Sequence, residues 1–176
     1  MKSAVVYESM FGNTRAVAKA VAEGLGGDVQ LFRVHELQGH DLDGVELIVV
    51  GGPTHARSMS RPSTRRGAAT QAADPRRDLT FEPGADGRGL REWLADLAPH
   101  DVSAAAFDTR VDKPRMITGA ASRSIARQLR HNGCRLLVEP ESFVVTSDPR
   151  LVAGELIRAQ AWGARIATLL PQVMST

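Results

Sequence analysis

The chain predicts an α/β fold, a doubly wound parallel sheet covered by helices on both faces. Apolar runs of strand length alternate with helical patterns along the sequence. The third run, "VELIVVG" at 45–51, is nearly continuous in apolar residues, as a central strand covered on both sides requires. At 176 residues and 43% hydrophobic, the chain predicts one domain over 1–176, long enough to bury a sizeable core.

The elements follow in order. A first strand spans 3–8 ("SAVVYE") and gives way to "SMFGNT" at 9–14. Val17, Val21 and Leu25 recur at i, i+4 and i+8, so 14–25 reads as an amphipathic helix that Gly26 and Gly27 stop. The second strand is 28–34 ("DVQLFRV"); 36–44 is polar and glycine-broken, with room for a short helix; the third strand is 45–51. Leu90, Trp93, Leu94 and Leu97 form a second helical stripe, closed by Pro99, before a fourth strand at 103–108 ("SAAAFD"). A third helix at 119–132 carries Ile125 and Leu129 on one face. The fifth strand is 134–138 ("CRLLV"), continuing at 143–146 ("FVVT"). A last helix over 151–169 offers Val152, Leu156, Ile157, Trp162 and Ile166 as core contacts.

Residues 56–88 show no sustained period of either kind, which marks a long inserted loop, functional or mobile. Residues 57–88 hold seven arginines against Asp74, Asp78, Glu82 and Asp86, although the whole chain carries a net charge of only +2. That balance does not predict nucleic-acid binding. No apolar run approaches the ~18 residues that span a bilayer. A single cysteine, Cys134, excludes an internal disulfide and a cysteine-rich metal site, and is expected in a buried strand. The chain opens directly into a strand pattern, without a charged-then-apolar leader, so the expected location is cytoplasmic.

Ligands of a doubly wound sheet gather outside the carboxyl ends of its strands, where the strand order reverses. After the first strand, "SMFGNT" opens a helix, whose free N–H groups and dipole favour an anion. Ser9 and Thr14 add hydroxyls, Asn13 an amide, and Gly12 a close backbone approach. A phosphate held by neutral donors is one reading; a plain helix cap at Asn13 or Thr14 is the other. The nucleotide P-loop and the three-glycine dinucleotide fingerprint are both absent. After the third strand, "GGPTHARS" at 51–58 presents Thr54 and His55 from a turn, or is an ordinary loop exit. After the fourth, "FDTRVDKP" at 107–114 places Asp108, Thr109 and Arg110 at a strand end. Thr118 or Ser122 in "KPRMITGAASRS" offers a second anion site or, more simply, a helix cap.

With these three loops in view, the chain resembles the flavodoxin family and its FMN-binding relatives. "YESMFGNT" is similar to the family's phosphate loop, and the order of elements matches along nearly the whole chain. The resemblance implies a five-stranded sheet in the order 2-1-3-4-5. It implies that Ser9, Met10, Phe11, Gly12, Asn13 and Thr14 hold the phosphate of FMN. Pro53, Thr54, His55 and Ala56 would then line one side of the flavin ring, and Asp108, Thr109, Arg110 and Val111 the other. The flavin would carry the redox chemistry, with no catalytic side chain and no metal.

The chain departs from the electron-shuttling members, which are usually acidic and sandwich the ring between aromatic residues. Its only Tyr is Tyr7, and Trp93 and Trp162 fall in helices. A very low potential is therefore not expected. The basic, proline-containing "RVDKP" leans toward the menaquinone-linked protoporphyrinogen oxidase type. Arg57, Arg61, Arg65 and Arg66 would start close to the ring as a cationic lid that draws in an anionic electron donor or acceptor; the plainer reading is a solvated, disordered insertion. The functional expectation is an FMN-binding electron carrier or oxidoreductase. The alternative is the same fold without flavin, serving as an interaction module. A phospho-receiver is set aside because Glu8 stands alone at the end of the first strand.

Overall fold

Strand β1 (Lys2–Tyr7) is an interior strand of a parallel sheet in the computed structural model, which describes residues 2–170. Residues 1 and 171–176 of the expected domain lie outside the described residues. The other strands are β2 (Asp28–Arg33), β3 (Leu47–Pro53), β4 (Ser103–Val111), β5 (Arg135–Leu136) and β6 (Glu141–Val145). The order is β2-β1-β3-β4-β5, as the resemblance implies, with β6 also paired to β4. The two short strands share one edge of β4: Ser103 and Ala104 pair with β5, while Phe107 to Val111 pair with β6. The expected fifth strand is thus present in two pieces. Pro140, which has no N–H to give to a ladder, sits in the break.

Alternation along the strands sorts the core into two layers. Val6, Ile48, Val50, Ala104 and Ala106 face α3 (Leu90–Asp96) and α5 (Ala121–His131). Val5, Leu47, Val49, Ala105 and Phe107 face α1 (Asn13–Leu25) and α6 (Glu155–Leu169). On that second side Phe107, Phe143 and Trp162 meet edge to face, with centroids 6.0 to 6.1 Å apart. Cys134 is buried in the first layer, next to the start of β5, where burial pushes its thiol pKa up. Among the described residues no helix is long and apolar enough to cross a membrane.

Residues 36–44, where the sequence leaves room for a short helix, hold a 3-10 helix at Gly39–Leu42. The structure corrects several sequence expectations. The last helix begins at Glu155 rather than 151, and its buried stripe is Glu155, Ala159, Trp162, Gly163 and Ile166. Leu156 and Ile157 fall off that stripe and are exposed, contrary to the expectation from their apolarity.

The segment 56–88 is not structureless, for it contains α2 (Pro62–Ala72). Pro62 occupies its first turn, and the Arg61 N–H donates to Thr64 Oγ1 at 2.9 Å. Only Arg65 and Ala68 of this helix are buried. A helix whose inward face is an arginine and an alanine shows no apolar period, so periodicity misses it. A short α4 (Arg115–Thr118) completes the set, between β4 and α5.

Candidate functional site

The carboxyl ends of β1, β3 and β4 open into one cleft. From the first loop Ser9, Met10, Phe11, Asn13 and Thr14 line it; from the second Pro53, Thr54 and His55; from the third Thr109, Arg110 and Val111. Gly12, Ala56 and Asp108, expected beside them, do not line the cleft. Val145 and Pro149 do, and the sequence pointed to neither. Both follow from β6 running alongside β4, a pairing that no local pattern announces.

The first loop is built by Gly12, the N-cap of α1, whose φ of 88° lies in the left-handed region. Its N–H donates to Ser9 Oγ at 3.1 Å, and its carbonyl accepts from Ala16 at 2.9 Å. No side chain caps the helix. Among the described residues the N–H groups of Asn13, Thr14 and Arg15 have no hydrogen-bond partner. The cap reading of Asn13 and Thr14 is therefore wrong, because their side chains go elsewhere. Asn13 Nδ2 donates to the Pro149 carbonyl at 2.7 Å, and the Thr14 hydroxyl meets that of Thr109 at 2.7 Å. The side chains brace the loop and leave backbone N–H groups for an anion. Arg15 adds a cation that the sequence reading overlooked although it directly follows "GNT": its Nε lies 2.9 Å from Glu82 Oε1. Its guanidinium also approaches Gly12.

Two residues of the second loop stand in the left-handed region without being glycine, Ala56 at φ 46° and Arg57 at φ 75°. They form the turn of a two-residue hairpin closed by His55 and Ser58, whose N–H and C=O groups pair at 2.8 and 3.0 Å. Left-handed backbone at a residue with a Cβ costs about 1 kcal/mol or more, so neighbours must hold it. Arg57 Nη2 donates to the Met116 carbonyl at 2.7 Å, and Ser58 Oγ lies 2.9 Å from Ser124 Oγ. Gly119 packs so close to the Arg57 backbone that a Cβ there would collide with it. Burial, with a contribution from the charge of Arg65, holds the His55 imidazole below its ordinary pKa.

Asp108 is fully buried on the opposite side of β4 from its neighbour Thr109. Its Oδ2 accepts the N–H of Ser122 at 2.8 Å in the first turn of α5, while its Oδ1 has no hydrogen-bond partner among the described residues. Burial raises its carboxyl pKa and that hydrogen bond opposes the shift. The start of α5 thus already holds a carboxylate from within the chain, and the Ala121 N–H donates to Thr54 Oγ1 at 2.9 Å. Neither Thr118 nor Ser122 makes a second anion site or a cap.

The arginine-rich segment is partly interior. Arg65 is 2% exposed; its Nη1 lies 3.0 Å from Ser60 Oγ and 3.1 Å from Glu92 Oε2. Ser60 in turn donates to buried Glu8, whose other oxygen accepts from the Leu90 N–H at 2.8 Å. Desolvation raises the Glu8 carboxyl pKa against these bonds. Arg65 is therefore a structural cation rather than part of a lid, whereas Arg57, Arg61 and Arg66 are exposed. The same segment packs on the first loop: Met10 joins Ala68 and Ala85 in a small cluster, and Phe11 meets Phe81 edge to face at 6.4 Å.

A family model described as a flavodoxin domain matches residues 4–63, which span β1, the first two cleft loops and β3. No curated protein matches the chain. Among solved structures, a flavodoxin from the domain Archaea is 23% identical, with 96% of this chain and 97% of that one covered at a TM-score of 0.64. Oxidised flavodoxin 1 from Bacillus cereus is 15% identical over 97% of this chain and 99% of its own, at a TM-score of 0.64. Rubredoxin oxygen:oxidoreductase from Desulfovibrio gigas is 18% identical; the alignment covers 99% of this chain and 37% of that one, at a TM-score of 0.63. The chain has a flavodoxin-like fold, and its segment 4–63 is similar to a flavodoxin domain.

Proposed function

We propose that this chain binds FMN without a covalent link and passes electrons through it, as an electron carrier or as an FMN-dependent oxidoreductase of the cytoplasm. The observation that carries the reading is the uncapped start of α1, whose first three N–H groups have no partner among the described residues and whose Asn13 and Thr14 line the cleft together with the other two loops. The residues fit the group. The backbone of Asn13, Thr14 and Arg15, with the Ser9 hydroxyl, would hold the phosphate. Pro53, Thr54 and His55 would stand on one side of the ring, and Thr109, Arg110 and Val111 on the other. Flavodoxins among the similar structures and the flavodoxin domain match over 4–63 support the same cofactor.

Bound FMN supplies the capacity to take up and release electrons. The chain's own part is to orient it and set its potential. None of the lining residues is Trp or Tyr, and the second loop contributes a histidine whose pKa burial lowers. Without a Trp or Tyr against the ring and without a carboxylate in the lining, the reduced ring is destabilised less, so the potential lies above that of a Trp- and Tyr-walled, acidic site. The flavodoxins and the rubredoxin oxygen:oxidoreductase give no support to a menaquinone-linked protoporphyrinogen oxidase type.

The test is a visible spectrum of the purified protein, with an FMN titration if it is pale. Flavin absorption that bleaches on anaerobic reduction and returns with an oxidant is the expected result. A colourless chain that leaves FMN fluorescence unchanged returns the fold to the interaction-module alternative.

A further inference from the structure

The segment that runs from Lys113, just after exposed Asp112, through α5 carries an excess of cations. From 113 to 138 there are six lysines and arginines and no aspartate or glutamate. On α5 the inward face is Ala121, Ser122, Ile125, Ala126 and Leu129, so the exposed face is left to Arg123, Arg127 and Arg130. Elsewhere Arg15, Arg33, Arg76, Arg88, Arg150 and Arg158 each pair with a carboxylate. Among the described residues Arg57, Lys113, Arg123 and Arg127 pair with none, and neither do Arg61, Arg66 and Arg77 of the preceding segment. Between Lys113 and α5, Met116 and Ile117 are 87% and 63% exposed, the former with its carbonyl bound to Arg57.

This surface adjoins the cleft. Arg57 follows His55 on the hairpin, Lys113 follows Val111, and α5 is bonded to Thr54 through the Ala121 N–H. Two exposed apolar side chains, with Arg57 bonded to the same segment, Lys113 just before it and the exposed arginines of α5 just after it in the chain, have the make-up of a small docking surface of apolar and cationic groups. Unpaired cations on one face also steer an oppositely charged partner toward it.

We propose that Arg57, Lys113, Arg123 and Arg127, together with Met116 and Ile117, form the docking surface for an acidic redox protein that exchanges electrons with the cofactor of the adjacent cleft. The electron-transfer part rests on the FMN reading; the docking part does not, since the surface is made by the chain alone. A protein fits better than the other polyanions. The apolar face of α5 is buried in the core, so only two apolar side chains remain for a bilayer. Residues 113–130 include no Phe, Trp or Tyr for bases to stack on.

The probe is an acidic plant-type [2Fe–2S] ferredoxin, whose reduced cluster gives up one electron that enters the oxidised flavin. Binding to the purified full chain is measured by titration calorimetry at about 0.01 M salt and again at about 0.15 M, where screening is much stronger. We expect binding at low salt that weakens at least ~10-fold in the stronger salt, and ~10-fold or more in an Arg123→Glu, Arg127→Glu double variant. A Met116→Ser, Ile117→Ser variant weakens it too, and stopped-flow reduction by ferredoxin slows with the same variants. FMN retention stays at the wild-type level in both variants, and docking persists after the flavin is stripped. Loss of FMN binding by the wild type would thus strike the cofactor reading without touching the surface. No ferredoxin binding, binding equally tight in the charge-reversed variant, or tighter binding to phosphatidylserine vesicles or duplex DNA overturns the proposal.

Discussion

The hydroxyls of Thr14 and Thr109 lie 2.7 Å apart with both residues buried, joining the first turn of α1 to the end of β4. The same Thr109 accepts the Thr54 N–H at its carbonyl, at 2.8 Å. One residue therefore touches all three loops of the cleft, its side chain holding the first and its backbone the second.

Thr109→Val keeps the shape and the carbonyl but leaves the Thr14 hydroxyl buried without its partner. The expected loss is about 1–2 kcal/mol of stability, read as a lower urea midpoint with an unchanged slope. A double-mutant cycle with Thr14→Val should show that the two losses are not additive. Additive losses would mean that the hydroxyl pair does not act as a unit.

Gly12 governs the first loop through its backbone rather than through crowding. At φ 88° a side chain is strained, yet the nearest atom to an added Cβ is 3.7 Å away. Gly12→Asn should be tolerated best, Gly12→Ala should cost about 1 kcal/mol, and β-branched Gly12→Val more. FMN affinity should fall in that order. An order that follows side-chain volume alone, with Asn worse than Ala, would point to steric exclusion instead.

The parts of the fold and site legible in the sequence are those with local signals. "SMFGNT" between a strand and a helix stands where expected, because a strand followed by a glycine turn and an amphipathic helix is a local pattern. Helix α2 was hidden because it buries charge through Arg65 instead of an apolar stripe. Asp108 looked like a cleft residue by its position after the fourth strand, but strand alternation turns it toward α5. Val145 and Pro149 reach the cleft only through the pairing of β6 with β4, which is a long-range fact.

Arg65 should be the most sensitive arginine of its segment. Its replacement by Met removes the cation between Ser60 and Glu92 and leaves the Glu8 carboxyl buried without it. A loss of about 3 kcal/mol or more is expected. Arg66→Met, at an exposed neighbour, should stay within about 0.5 kcal/mol. Thermal or urea unfolding separates the two; equal effects would contradict the buried role.

His55 predicts an acid-side instability. Burial lowers its pKa in the folded chain below the unfolded value of 6.5, so the unfolded chain binds the proton more readily. The stability contribution is complete above the unfolded value and is lost as pH falls from there toward the folded pKa. His55→Gln should flatten this part of the Tm-against-pH curve; an unchanged slope would place the responsible group elsewhere.

The central claim is that the start of α1 grips a phosphate. Parallel fluorescence titrations with FMN and with riboflavin, which has the same ring and ribityl chain but no phosphate, test it most directly. Several charge-assisted hydrogen bonds to backbone N–H groups together favour FMN by at least ~100-fold. Equal affinity for the two, or binding of neither, would contradict the account.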